Sequence, residues 1–181
     1  SDNAIYQTVE ALLDSINAAE KEKVVVYANF IRSVEGLARK FKNLNPAMAY
    51  GPLGPDKSAK EVERFQNDPS CRILIGNPQS VGCGFTLGQT AQTVIFAEPV
   101  GSPGLFDQCL SRVILAGQTQ PVVAYIICAN GTISPLAIDA MLGKSQDINQ
   151  IVRSKKTLLD GLLGRDIKYS KATSAEVAAM A

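Results

Sequence analysis

Arg112 is the residue whose type and setting point most directly to chemistry. It lies in residues 106–127, which read as a short amphipathic helix, a Gly117-Gln118 turn and a buried strand, and its helix neighbours are apolar. A guanidinium in such company is costly to bury unless it meets an anion. That anion is either a bound phosphate or a carboxylate of the fold, such as Glu98 or Asp107. Histidine is absent, which excludes Ser-His and Cys-His mechanisms and removes the commonest metal ligand. Cys71, Cys83, Cys109 and Cys128 lie far apart without CxxC spacing. They read as buried thiols of a reducing compartment, not as a zinc or disulfide framework. No GxxxxGK[ST] loop is present, and no Asp-Glu pair closes a strand. The chain therefore lacks a phosphate cradle and magnesium ligands of its own.

The elements that must position these groups alternate. Residues 4–19 place Ile5, Val9, Leu12, Leu13 and Ile16 on one helical stripe. Residues 24–30, VVVYANF, read as a strand buried on both faces, the mark of a central parallel strand. A helix is expected over 33–41, a short strand over 47–51, a Gly- and Pro-rich loop over 51–57 and a polar helix over 57–65. Further strands are expected at 72–76, 92–97 and 121–128, with a glycine-bearing loop over 77–88 and a helix from Pro103 to about residue 115. This order predicts an α/β fold, a parallel sheet with helices on both faces. Ligands of such sheets bind beyond the carboxyl ends of the strands, so the loops at 28–32, 51–57, 76–86 and 98–103 should share one rim.

Apolar helical spacing continues over residues 133–163 without further strands. The expected organisation is a core over 1–132, a helical brace over 133–164 and a polar, alanine-rich tail over 165–181. Hydrophobic residues make up 46% and charged residues 19%, enough to bury a core, and a net charge of +1 gives no whole-molecule pull toward DNA or membranes. No apolar run reaches about 18 residues and no basic-then-apolar leader opens the chain, so an intracellular, membrane-free protein is expected. It opens on Ser1, as an excised piece of a longer protein would.

The order of pieces resembles the second RecA-like motor domain of a superfamily-two helicase, in the Swi/Snf-type DNA-translocase branch. The resemblance runs over about residues 5–164. It is carried by Lys23-Val-Val-Val-Tyr-Ala-Asn-Phe30, by Tyr50-Gly51 with Arg64-Phe65, and by Asn77-Pro-Gln-Ser-Val-Gly82-Cys-Gly84-Phe-Thr-Leu87, which is similar to motif V. It continues through Thr93 to Pro99 with Ser102-Pro103, through Gln108-Cys-Leu-Ser-Arg112 with Gly117-Gln118, similar to motif VI, and through Gly131-Thr132-Ile133 with the 158–163 helix.

The resemblance implies a RecA-like sheet with a C-terminal brace, and ATP with Mg²⁺ held between this domain and a first motor domain supplied in cis or in trans. Arg112 would face the γ-phosphate as the catalytic arginine. Gly82, Gly84 and Gln118 join it as cofactor-facing positions, the glycines by admitting close backbone approach. Asn29, Arg32, Lys57, Asn77 and Gln79 are the expected contacts to nucleic acid, with duplex DNA as the family's usual track. For the basic residues, ordinary solvated helix surface is the competing reading. The family's second arginine, three residues after the first, is Leu115 here, and its usual His is Ile114. Gly101 and Ser102 replace an aromatic and an Asn, and Pro78 replaces a hydroxyl. Two readings follow. One is a motor half, inactive toward ATP by itself. The other is a degenerate RecA-like domain serving as a nucleic-acid-binding or assembly module.

Overall fold

The computed structural model describes residues 4–20, 22–81, 84–114, 118 and 120–127. Gly82, Cys83, Leu115, Gly117, Cys128, the expected brace over 133–164 and the tail over 165–181 lie outside the described residues.

The order is α1 (Ala4–Ser15), β1 (Lys23–Tyr27), α2 (Ile31–Lys40), β2 (Ala47–Ala49), α3 (Pro55–Asn67), β3 (Ile73–Gly76), α4 (Pro78–Val81), β4 (Ala91–Phe96), α5 (Pro103–Ser111) and β5 (Val123–Ile126). The strands form one sheet in the order β2-β3-β1-β4-β5, with every pairing parallel. This is the parallel α/β sheet expected from the alternation and agrees with the RecA-like sheet that the resemblance implies, and β1 is indeed its central strand.

Alternation along the strands divides the core in two. Val25, Tyr27, Leu74, Val94 and Phe96 face α3, α4 and α5, meeting Val62, Phe65, Val81, Phe106 and Cys109. Val24, Val26, Ile73, Ile75 and Ile95 face α1 and α2, meeting Val9, Leu12, Leu13, Val34 and Leu37. Each such aliphatic side chain contributes about 1.5–3 kcal/mol on burial. The buried hydroxyl of Thr93 donates to Glu22 Oε2 at 2.9 Å. Tyr6 lies over Gly36, where a Cβ would meet its hydroxyl at 2.0 Å, so α1 and α2 approach closely.

Several boundaries differ from the sequence expectation, each for a reason in the tertiary contacts. The strand expected over 24–30 ends at Tyr27. Ala28 N–H still reaches Gly76 O at 3.0 Å, but the next two amides turn to Glu98 instead of a neighbouring strand. α3 begins at Pro55 and reaches Asn67, past both expected ends. Gly54 at φ +79° admits the turn before it. Lys23 Nζ holds the far end by donating to Phe65 O at 2.5 Å and Asp68 O at 2.7 Å. Burial lowers the Lys23 pKa. The four-residue α4 falls inside what reads as loop. The helix expected to run to about residue 115 gives way at Ser111, so Arg112 is its C-cap and not an interior residue.

Candidate functional site

The strands being parallel, their carboxyl ends share an edge, and cross-bonds tie that edge together: Asn77 N–H to Ala49 O, Ala97 N–H to Tyr27 O and Ile127 N–H to Phe96 O, at 3.2, 2.9 and 2.9 Å. Of the expected nucleic-acid contacts, Arg32 and Lys57 stand exposed in the first turns of α2 and α3, both of which start from this rim. Arg39 and Lys42 lie at the far end of α2, and Lys40 pairs with Glu10 at 2.9 Å. The basic residues therefore do not form one face.

Asn29 is half-buried at the rim. Its N–H donates to Glu98 Oε2 at 2.7 Å and its side-chain amide to Pro99 O at 2.5 Å. Glu98 also accepts from Phe30 N–H at 3.3 Å and from Ser33 Oγ at 2.5 Å. The α2 N-terminus, an ordinary place for an anion, thus already holds a carboxylate of the fold. Asn77 N-caps α4, its carbonyl accepting from Ser80 and Val81 N–H at 3.1 Å each, while its side-chain amide donates to Gln79 Oε1 at 3.4 Å. Its Oδ1 is buried without a hydrogen-bond partner among the described residues.

Arg112 belongs to a second group. α5 starts at the rim on Ser102, whose side chain accepts from Leu105 N–H at 3.3 Å, with Pro103 next. It then runs back against the strand direction, so its end lies toward the strand starts. There the Leu87 N–H, four residues before β4, donates to Arg112 O at 2.7 Å. Just past Ser111 the chain turns tightly, with Val113 and Ile114 N–H both reaching Leu110 O at 3.0 Å. Gln118 joins the group by donating from its side-chain amide to Gly88 O at 3.4 Å, an oxygen that Gln92 Nε2 also reaches at 3.2 Å. Gln66 Nε2, from the end of α3, donates to Thr86 O at 2.8 Å. Gly84 opens this loop at φ +85°, and a Cβ there would meet nothing within 4 Å. The glycine is needed for the backbone angle and leaves the loop's outer side open.

The charge of Arg112 is felt by its neighbours. Burial pushes the Cys109 thiol up to about 12, while a hydrogen bond from Tyr27 and the Arg112 charge pull the other way. Burial likewise raises the Tyr27 phenol, against the pull of Arg112. Arg112 is a half-buried, fixed positive charge whose backbone carbonyl is tied to the 84–88 loop at Leu87. Among the described residues no cluster of His, Cys, Asp and Glu fits a metal ion. The anchoring roles of Gln66 and Gln92 and the clamping role of Glu98 were not legible in the sequence, where Glu98 figured only as a possible partner of Arg112 and as part of the 93–99 stretch.

The helicase conserved C-terminal domain family matches residues 7–117. The chain is 27% identical over 168 residues to the DNA repair and recombination protein RAD54-like of Drosophila grimshawi, an alignment covering 90% of this chain and 21% of that protein. It is 28% identical over 152 residues to the protein of that name from Drosophila virilis, covering 81% of this chain and 19% of the relative. The chain thus spans about a fifth of the length of the curated relatives it matches. Its fold is similar to the C-terminal part of the Fun30 ATPase domain, with a TM-score of 0.66 and 21% identity over 74% of this chain and 43% of that one.

Proposed function

Because the chain belongs to the helicase conserved C-terminal domain family, we propose that it is the second motor domain of a Swi/Snf-type translocase acting on duplex DNA inside the cell. The observation that carries this reading is the joining of the open glycine loop to the arginine segment through the Leu87–Arg112 hydrogen bond, at 2.7 Å. A phosphate-facing loop and a phosphate-facing charge then move together.

ATP and Mg²⁺ belong mainly to a first RecA-like motor domain, in cis or in trans, which supplies the phosphate cradle and the metal ligands. This chain contributes the Arg112 guanidinium toward the transferred phosphoryl group. Gly82, Gly84 and Gln118 are the further cofactor-facing positions. Arg32 and Lys57 neutralise backbone phosphates at the rim, with Gln79 as a further contact from α4. Asn29 and Asn77 shape the rim loops, because their donors are engaged within the fold. A second reading, a degenerate domain kept for nucleic-acid binding or assembly, is favoured by Leu115 in the second arginine's position. Leucine cannot offset charge in phosphoryl transfer, and an arginine finger contributes about 10³–10⁵ in rate.

The test is ATP turnover and duplex binding, with and without a first motor domain. The isolated chain is expected to be inactive; turnover by the chain alone that depends on Arg112 would refute the division of labour. With the first domain present, Leu115→Arg should raise turnover. An unchanged rate favours the degenerate reading. Exchanging Arg32 and Lys57 for Ala should weaken duplex binding and reduce the slope of log affinity against log salt by about two.

A further inference from the structure

The loop over residues 84–88 joins the rim side of the molecule to the arginine segment, and its anchors come from outside it. We propose that Gln66 is a positioning residue that sets this loop and, through it, Arg112. The proposal rests on the reading that the loop and Arg112 form the working face.

Gln66 is exposed at the end of α3, a helix fixed at both ends, by Gly54 before it and by Lys23 at its last carbonyls. Its Nε2 reaches Thr86 O at 2.8 Å, a good hydrogen-bond length. The next residue, Leu87, is buried and sends its N–H to Arg112 O at 2.7 Å. One residue further, Gly88 O is held from the other side by Gln92 and Gln118. Thr86 C=O and Leu87 N–H are the two ends of one peptide group, so Gln66 and Arg112 O hold the same peptide plane from its two ends, and Gly88 O is held further on. At its other end Gly84 has a backbone angle of φ +85° and open space around it, which permits pivoting when the anchor is removed. Gln66 is solvent-exposed and belongs to neither core cluster, so its replacement spares the fold, while the Thr86–Leu87 peptide loses its side-chain anchor.

The experiment uses this chain and three variants: Gln66→Ala, Gln66→Glu, which keeps the shape and loses the donor, and Gln66→Lys, which restores a donor. Nuclear magnetic resonance reads Leu87 amide exchange and the Arg112 Nε–H signal, beside the melting midpoint. Leu87 exchange is expected to rise about fivefold to tenfold in the Ala and Glu variants, the worth of one lost hydrogen bond. The Arg112 signal should shift in both, and the Lys variant should restore both readings at an unchanged melting midpoint. Unaltered Leu87 exchange in Gln66→Ala, or equal recovery with Glu and Lys, overturns the proposal. A wild-type protein that ignored ATP and duplex DNA would refute the function proposed above, while these readings still decide the role of Gln66.

Discussion

Replacing Glu98 tests how the rim is held. Glu98 stands just beyond β4 and accepts from Asn29 N–H, Phe30 N–H and Ser33 Oγ, at 2.7, 3.3 and 2.5 Å. Two of these donors belong to the start of α2, the N-cap Phe30 N–H, which has no partner within the helix, and the first-turn Ser33 hydroxyl. Phe30, the N-cap residue, forms no side-chain cap, so the cap arrives from another element. Losing a side-chain cap costs about 0.5–2 kcal/mol, and a hydrogen bond to a charged group contributes about 1.5–3 kcal/mol. Glu98 is half-buried and its partners reach water once it is gone, so the lower end of each range applies. Glu98→Ala should therefore cost about 2–3 kcal/mol in urea unfolding and lower the melting midpoint by about 4–12 °C. Glu98→Gln keeps one acceptor and should cost about 1 kcal/mol. A double-mutant cycle with Ser33→Ala should show a coupling of about 0.5–1 kcal/mol. A cost below about 0.5 kcal/mol for Glu98→Ala would refute the argument that this carboxylate caps α2.

Other outcomes follow from particular contacts. Gly76→Ala should destabilise by about 2–3 kcal/mol by urea unfolding, because the added Cβ would meet Ala49 O at 2.3 Å and Val81 Cγ2 at 2.4 Å. A neutral effect would mean that the β3 end relaxes freely. Hydrogen bonds from Arg64 hold the Glu61 carboxyl below the usual carboxylate range. A depressed folded value gives stability that is present above the unfolded carboxylate pKa and is lost as pH falls through the folded one. The stability gap between wild type and Glu61→Gln should accordingly close on acidification below about pH 4. A gap that held constant in acid would contradict this. Cys109, with its pKa pushed up to about 12, and Cys71, raised by burial, should resist iodoacetamide near neutral pH until the protein unfolds. Mass mapping of rapid modification at either in the native protein would count against their burial.

Much of the fold was legible because its signals are local and repeated. The β-branched run at residues 24–26 marked a strand buried on both faces, and β1 is central. Helical spacing of Val34 and Leu37 marked the face of α2 that meets the sheet. The ends of elements were less legible. Asn29 and Phe30 read as a continuation of β1, but their amides bond to a carboxylate 68 or more positions away. Lys23 caps α3 from 42 and 45 positions away. Such partners leave no trace in the local pattern.

The candidate site divides the same way. Residue types alone determined that a His-dependent mechanism is closed to this chain, and they singled out Arg112 as the charge to follow. Periodicity and order determined the parallel α/β sheet, because alternation and spacing are properties of the chain itself. Only the tertiary structure decided that Arg112 ends its helix, that its carbonyl is taken by Leu87, and that Asn29 has its donors engaged. Only the structure separated the rim group from the arginine group, since α5 must run back across the sheet before β5 can begin. The physical reason is that a hydrogen bond between distant residues depends on where packing brings them, and local spacing carries no record of that meeting.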